Sequence, residues 1–266
     1  MKLNTIREAY IAEGASYLDA SSRTSQEVIL TLIAKSPLAK NVTIKGGVVI
    51  QHISGNNRRA TQDLDFDFVK YSIEDDSIRA FIKRLNEQSE DIHIAITAPI
   101  EELKHQDYSG KRVNIRITDV DGTNIDTKLD IGVHNSIAPE QKNYCFDLGK
   151  LDDSVTLLAN TKEQIFTEKL KSLLRLGAVS TRYKDVFDMY YLAVIEGLDK
   201  DAIMMNFRTA IFDDKTMREN NIADIVSRLD KVLHDPRFAR PLRQSKRNNW
   251  IDIDAEKAIN RLLAFF

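Results

Sequence analysis

Six consecutive residues in the first third of the chain alternate without a break between acid and apolar: Asp63-Leu64-Asp65-Phe66-Asp67-Phe68. In an extended strand successive side chains point to opposite faces, so Leu64, Phe66 and Phe68 share one face and the three aspartates the other. The apolar face calls for a core. The acidic face is costly as packing, because two carboxylates about 4 Å apart repel by roughly 4 kcal/mol at an effective dielectric near 20. A cation is the natural partner. Metal-assisted phosphoryl or nucleotidyl transfer needs such a pair, with Mg²⁺ neutralising phosphate oxygens and orienting the attack. From Asp-x-Asp alone, an edge strand with a solvated outer face accounts for the pattern equally well.

The elements around this strand are of the kind a phosphate site uses. Gly46-Gly47 lies between a short strand, Val42 to Ile44, and an apolar helical turn, Val48 to Ile53. Glycines at such a junction let backbone N–H groups approach a phosphate, and a helix N-terminus favours the anion. Gly55-Asn56-Asn57-Arg58-Arg59 then forms a polar loop with two cations. Ser77 to Glu87 reads as a helix with Ile78, Phe81, Ile82 and Leu85 on one stripe. Strands are expected over Ile92 to Ile96, Val113 to Ile117 and Asn124 to Val133. The last again sets an apolar face (Ile125, Leu129, Ile131) against a charged one (Asp126, Lys128, Asp130). Lys128-Leu129-Asp130 thus offers a third carboxylate with a cation beside it. The alternative is a cross-strand salt bridge on an exposed sheet face.

Before the glycines, helices are expected over Ile6 to Leu18 and Ser25 to Lys35, the second ended by Ser36-Pro37. From His134 to Asn160 the pattern weakens, which reads as a connection between domains. Beyond it the chain turns helical. Thr161-Lys-Glu-Gln164 is a capping-box signature for a helix to Leu176, with Gly177 as its stop. Ile165, Phe166, Leu170, Leu173 and Leu174 make its buried stripe, with Lys169 inside it; Gln164, Glu168, Lys171 and Arg175 lie opposite. A lysine among leucines needs an anion, such as a phosphate, or must snorkel to the surface. The next helix opens at Ser180 to Asp185 and runs through Leu192, with Asp185 and Asp188 on one face. Acids there also suit the helix dipole. Further helices are expected from Ala202, over Asn220 to Leu233, and from Asp254. Between the last two lie Arg237, Arg240, Arg243, Lys246 and Arg247 without an acid among them. This is either a track for a nucleic-acid backbone or a solvated basic loop.

Composition narrows the classes. The 266 residues are 42% hydrophobic and 29% charged, and 38 Lys and Arg against 40 Asp and Glu give a net charge of −2. Any nucleic-acid site must therefore come from local clustering. Cys145 is the single cysteine, so no intrachain disulfide forms, which fits a reducing compartment. The start, MKLNTIREAYIAEG, lacks the apolar core of a signal peptide, and no apolar run approaches a membrane span, so a cytoplasmic protein is expected. Neither a G-x-G-x-x-G loop nor an H-R-D motif is present, which disfavours a protein kinase. His52, His93, His105, His134 and His234 are scattered without metal-ligand spacing, which disfavours a zinc hydrolase.

Taken together, the motifs resemble the AbiEii/AbiGii-type toxin family, a branch of the polymerase-β-like nucleotidyltransferase superfamily. Gly46-Gly47 followed by Arg59-x-Thr61-x-Asp63-Leu64-Asp65-Phe66 is similar to its first motif. Lys128-Leu129-Asp130 is similar to its K-x-D motif, Gln164-Ile-Phe-Thr-Glu168-Lys169 to its Q-x-x-x-E-K motif, and Arg182-Tyr-Lys184-Asp185-Val-Phe-Asp188 to R-x-K-D-x-x-D. Val48-Val49 departs from the superfamily's Ser or Thr after the glycine, so phosphate grip would rest on backbone amides and cations. The resemblance implies an α+β fold: a nucleotidyltransferase-like mixed sheet with flanking helices over 1–150, then a mainly helical C-terminal domain over 151–266, with a cleft between them. It implies Asp63, Asp65 and Asp130 as catalytic Mg²⁺ ligands and Lys169 and Asp185 as catalytic residues. Gly46, Gly47, Arg59, Thr61, Lys128, Lys184 and Asp188 would bind the nucleotide. Asp67 has no role in it and reads as a bystander. The implied reaction moves a nucleoside monophosphate from an NTP to an acceptor, such as tRNA or another RNA, under restraint by a cognate antitoxin. A small-molecule nucleotidyltransferase of the aminoglycoside-modifying kind and a non-catalytic RNA- or protein-binding module are the competing readings.

Overall fold

The computed structural model describes residues 1–103, 110–133, 141–151 and 153–266. His105, His134 and Pro139, part of the histidine and loop readings above, lie outside the described residues. The chain forms two units, Met1–Asn160 and Thr161–Phe266.

The first unit opens with α1 (Leu3–Ala12) and α2 (Tyr17–Lys35), followed by β1 (Val42–Lys45) and α3 (Gly47–Ser54). Next come β2 (Leu64–Phe68), α4 (Asp75–Asn86), β3 (Ile92–Ile96), β4 (Glu101–Leu103), β5 (Gly110–Asp119), β6 (Asn124–Val133), β7 (Lys142–Leu148) and β8 (Asp153–Ala159). The eight strands make one mixed sheet in the order β3-β5-β6-β2-β1-β8-β7, with β4 pairing β5. β2 runs parallel to β6 and β1 parallel to β8; the other pairings are antiparallel. Leu64, Phe66, Phe68, Val113, Ile115, Ile117, Leu129 and Ile131 are all buried, as the alternation predicts. Phe66 and Phe68 each meet Phe81 of α4, with ring centroids 5.7 and 5.1 Å apart.

Two expectations change here. The second helix begins eight residues earlier than Ser25: the chain breaks at Gly14, whose φ is +92°, and Ser16 caps α2 by accepting the Asp19 N–H. Ser22, Thr24 and Ser25 do not start a helix but sit inside one, donating their hydroxyls to the carbonyls of Leu18, Ala20 and Ser22. The stretch read as a connection after His134 contains two strands. β8 buries Val155, Leu157 and Ala159 and lies beside β1, with Ile44 opposite Ala159, so residues up to Asn160 belong to the first unit.

The second unit is helical: α5 (Lys162–Leu176), α6 (Tyr183–Tyr190), α7 (Lys200–Phe207), α8 (Ile222–His234), α9 (Pro236–Gln244) and α10 (Ala255–Leu263). Wider π-type turns extend α6 over Tyr191–Glu196 and α7 over Arg208–Phe212. The capping box forms as the sequence predicts, with the Thr161 hydroxyl accepting the Gln164 N–H and the Gln164 side chain accepting the Thr161 N–H. That role draws Gln164 into a buried position rather than the solvent-facing one expected. Gly177 ends α5 at φ +60°, a conformation that favours glycine. Phe166 anchors the core against Phe207, Phe265 and Phe266.

Candidate active site

The acidic face of the sheet is built by register. β2 and β6 pair in parallel with Leu64 opposite Leu129 and Asp65 opposite Asp130, so the two carboxylates stand side by side on neighbouring strands. Asp63 immediately precedes β2 and shares its face with Asp65 and Asp67. Each described acid partner on this face is a cation. Asp63 meets Lys128 Nζ at 3.1 Å, with both side chains about a third exposed. Asp130 is gripped at both oxygens by Arg112, directly opposite it on β5, at 2.8 Å from Nε and 2.7 Å from Nη2. That grip pushes the Arg112 guanidinium above its ordinary pKa. Asp67, read as a bystander, is buried against Lys45 Nζ at 2.7 Å. A buried carboxylate needs that counter-charge, so Asp67 holds β1 to β2 at the edge of the Gly-Gly turn.

The Gly-Gly turn closes onto the same face. Gly46, at φ +67° and ψ −135°, precedes α3, and a Cβ there would stand 2.9 Å from Asp65 Oδ2. A Cβ on Gly47 would meet Thr61 Oγ1 at 2.7 Å and Arg59 Nη2 at 3.3 Å. Gly46 is therefore required by its positive φ and Gly47 by close approach, and the first amides of α3 stand next to Asp65, Thr61 and Arg59. Val48 and Val49 are core residues of α3. The loop carrying Arg59, Thr61 and Asp63 is fastened from α2. Gln26 donates its amide to the Thr61 carbonyl at 2.9 Å, and Arg23 donates to the Asn57 side chain and carbonyl at 2.8 and 2.6 Å.

The second unit assembles its own charged cluster. Lys169 lies on the buried stripe of α5, as expected, but it neither snorkels nor stands without an anion: its Nζ is 2.5 Å from Asp185 and 2.9 Å from Asp188. Asp188 is fully buried and also accepts the indole N–H of Trp250 at 2.9 Å. Arg182 reaches Asp185 at 3.4 Å. The two acids three apart on α6 thus balance a buried lysine rather than only the helix dipole. Lys184 lies beside Asp185 in the first turn of α6.

A family model for the nucleotidyl transferase AbiEii toxin of type IV toxin–antitoxin systems matches residues 28–255. The chain belongs to the AbiEii family. It is accordingly a nucleotidyltransferase of the toxin–antitoxin kind, acting on a nucleotide and implying a cognate antitoxin. No curated protein matches it. The matched span covers every AbiEii-like motif identified above.

Two features of this AbiEii member bear on chemistry. Oxygen-rich, paired carboxylates are the donor type Mg²⁺ prefers, and Asp63, Asp65 and Asp130 provide it on one face. Among the described residues, however, no group of three His, Cys, Asp or Glu side chains converges on a point that holds a metal. Arg112 and Lys128 occupy carboxylate oxygens instead. The basic stretch, secondly, is not a loop over most of its length. Arg237, Arg240 and Arg243 line the exposed side of α9, whose other side buries Phe238, Ala239 and Leu242. Pro236 at its first turn and Pro241 within hid this helix from the sequence pattern. Arg237 pairs with Asp235, holding that carboxyl down to about 2, and Arg243 pairs with Glu256. Arg240, Lys246 and Arg247 are exposed and make no ion pair among the described residues.

Among the described residues, no helix is long and apolar enough to cross a membrane. Lys45, Arg112, Gln26 and Trp250 escaped the sequence reading. Arg112 had a usable signal, since alternation from Val113, Ile115 and Ile117 puts it on the charged side of β5.

Proposed function

We propose that this AbiEii nucleotidyltransferase transfers a nucleoside monophosphate from an NTP to an acceptor hydroxyl, as a cytoplasmic Mg²⁺-dependent toxin held in check by its antitoxin. The acceptor oxygen forms a bond to the α-phosphorus, the bond to the β-phosphate oxygen breaks, pyrophosphate leaves, and the acceptor proton passes to a carboxylate or water. The observation that carries the reading is the parallel pairing of Asp65 with Asp130, with the positive-φ Gly46 packed against the Asp65 carboxylate. Asp63, Asp65 and Asp130 would hold Mg²⁺ only by releasing the oxygens that Lys128 and Arg112 now occupy, and the ion when bound would neutralise phosphate charge and orient the attack. Gly46, Gly47, Arg59, Thr61 and Lys128 supply amides and positive charge beside that position. Lys128 also neutralises Asp63, so nucleotide binding exchanges one anionic partner of this lysine for another. Lys169, Asp185 and Lys184 are the second unit's proposed contribution; Asp188, expected to bind the nucleotide, is instead fully buried and holds Lys169. Arg240, Lys246 and Arg247, with Arg237 and Arg243 beside them, are proposed to meet an RNA acceptor such as tRNA.

The test is a labelled-NTP transfer assay with total RNA and Mg²⁺ on wild type, Asp63→Asn and Asp65→Asn, alongside thermal melts. Transfer is expected to fall by at least about a hundredfold, since the removed charge acts on the transferring phosphate. The melts are expected to hold within about 1 kcal/mol, because the Asp63–Lys128 pair is partly exposed and worth little. A folded Asp63→Asn/Asp65→Asn double variant that transfers nucleotide at the wild-type rate refutes the proposal.

A further inference from the structure

The family match begins at Val28, so α1 and the first half of α2 lie outside it. That stretch nevertheless holds the loop that leads into the acidic strand. Arg23, Gln26 and Glu27 stand three and four residues apart on α2, hence on one face, and all three are buried. Arg23 donates from Nη1 to the Asn57 side chain at 2.8 Å and from Nη2 to the Asn57 carbonyl at 2.6 Å. Gln26 donates its amide nitrogen to the Thr61 carbonyl at 2.9 Å and to the Asp63 carbonyl at 3.5 Å, the carbonyls on either side of Gln62. Residues 57–63 lie outside helix and strand, and two side chains of one helix hold them at both ends.

The fixture behind these contacts comes from α1. Tyr10 donates its hydroxyl to Glu27, and the Arg23 guanidinium lies over the same ring, 5.4 Å from its centroid. α1 is in turn moored at both ends. The Leu3 N–H donates to Asp119 at 2.9 Å, and Glu13, the residue after the last turn, pairs with Lys150. A guanidinium seated this way is a pre-organised fork for two acceptors. What it and Gln26 hold bears directly on the acidic face. Thr61 packs at the Cβ position of Gly47, and Asp63 meets Lys128.

We propose that Arg23 and Gln26 are positioning residues for the transfer reaction, and that the segment before Val28 is therefore part of this enzyme's machinery. The inference rests on the nucleotidyltransferase reading and adds to it. The two residues act at different ends of the loop. Arg23 sets Asn57, and with it Arg59, whose proposed role is nucleotide binding. Gln26 sets Thr61 and Asp63, and Asp63 is a proposed Mg²⁺ ligand. Loss of the first contact should show in NTP affinity, and loss of the second in the chemical step.

Arg23→Met and Gln26→Met remove the donors and keep side-chain length; Arg23→Lys keeps one donor. Gln26→Asn, which withdraws the same amide by one methylene, serves if Gln26→Met does not fold. Thr31→Val is the control, since it removes a bond within α2, to the Glu27 carbonyl, that does not touch the loop. Trypsin cleavage after Arg58, exposed in the loop, is followed by mass spectrometry on the full chain below its melting transition, and labelled-NTP transfer is read as kcat and KM. Both Met variants are expected to be cut at least about fivefold faster as the loop opens more often, Arg23→Lys less so, and Thr31→Val no faster than wild type. Arg23→Met should raise the NTP KM at least about threefold with kcat little changed, and Gln26→Met should lower kcat at least about tenfold with KM little changed. Equal cutting of wild type and both Met variants refutes the fastening. Faster cutting with unchanged kinetics, or the same losses in Thr31→Val, refutes the positioning role and leaves the nucleotidyltransferase reading standing. Absence of transfer by the wild type overturns that reading and this role with it.

Discussion

Trp250 donates its indole N–H to Asp188 at 2.9 Å, joining α6 to the turn before α10 in the interior of the second unit. Asp188 is fully buried and lies 2.9 Å from Lys169 as well, so one carboxylate answers both an ammonium and an indole. A buried charge with two donors is a stabilising arrangement only while both donors are present. Trp250→Phe keeps most of the ring packing against Tyr191, whose centroid is 5.0 Å away, but leaves the carboxylate one donor short. The expected loss is about 1–3 kcal/mol, read by denaturant unfolding. Asp188→Asn in the Trp250→Phe background should show coupling of at least about 0.5 kcal/mol; simple additivity would mean the two do not share an interaction.

The Gly-Gly turn gives a second test. Gly46→Ala meets both a left-handed φ and the Asp65 carboxylate, and Gly47→Ala meets Thr61, whose branched side chain cannot easily turn away. Gly46→Ala is expected to cost about 1–2 kcal/mol from backbone conformation alone. Both variants should lose NTP affinity, measured by calorimetry. Gly55→Ala is the control: it has the same kind of φ, +58°, but open space around its Cβ position, and should cost stability without touching NTP binding.

His52 predicts a pH dependence. Burial on α3, against Phe146 at a ring distance of 5.1 Å, pushes its imidazole down to about 4; Asp147 pulls the other way and Arg23 assists the depression. The unfolded chain, with an ordinary histidine near 6.5, binds this proton first. Stability is therefore fully present above pH 6.5, declines as pH falls, and has lost about 3 kcal/mol from this group once pH reaches 4. Urea midpoints measured between pH 7 and pH 4 check this, and His52→Gln should flatten that part of the curve.

The basic side of α9 and the turn that follows it make a graded prediction. Neutralising Arg240, Lys246 and Arg247 together should reduce the salt slope of RNA binding by about 0.7 log units for each phosphate no longer neutralised. Arg237→Ala and Arg243→Ala should do less, since each already holds an acid. An unchanged slope in the triple variant would make the helix a merely solvated surface.

Much of the first unit was legible because its strands are half-buried: alternation located β2, β3, β5 and β6 and separated the acids from the core. The α5 cap was legible because its two hydrogen bonds are local. β7 and β8 also alternate, with Tyr144, Phe146 and Leu148 and then Val155, Leu157 and Ala159 set against more exposed neighbours, but each inward run spans only three positions and opens on polar residues, so the stretch reads as a connection. Lys45, Arg112 and Trp250 escaped for a different reason. Each matters through a partner set by register or by tertiary packing, and a single sequence does not state which acid faces which cation. Lys169 could be recognised as anomalous, but not that Asp188 and Asp185 were its answer.

The two parallel pairings carry a consequence for synthesis. β1 and β2 can join as soon as both have left the ribosome, but Asp65 acquires its neighbour Asp130 only when β6 has followed, and β1 gains β8 only after Ala159. Pairings between distant segments form late and slowly. While the chain is being made, the acidic strand exists without the third carboxylate that the proposed chemistry requires. On the proposed chemistry, the nascent chain therefore lacks its full set of carboxylates until β6, which ends at Val133 of 266 residues, has been made.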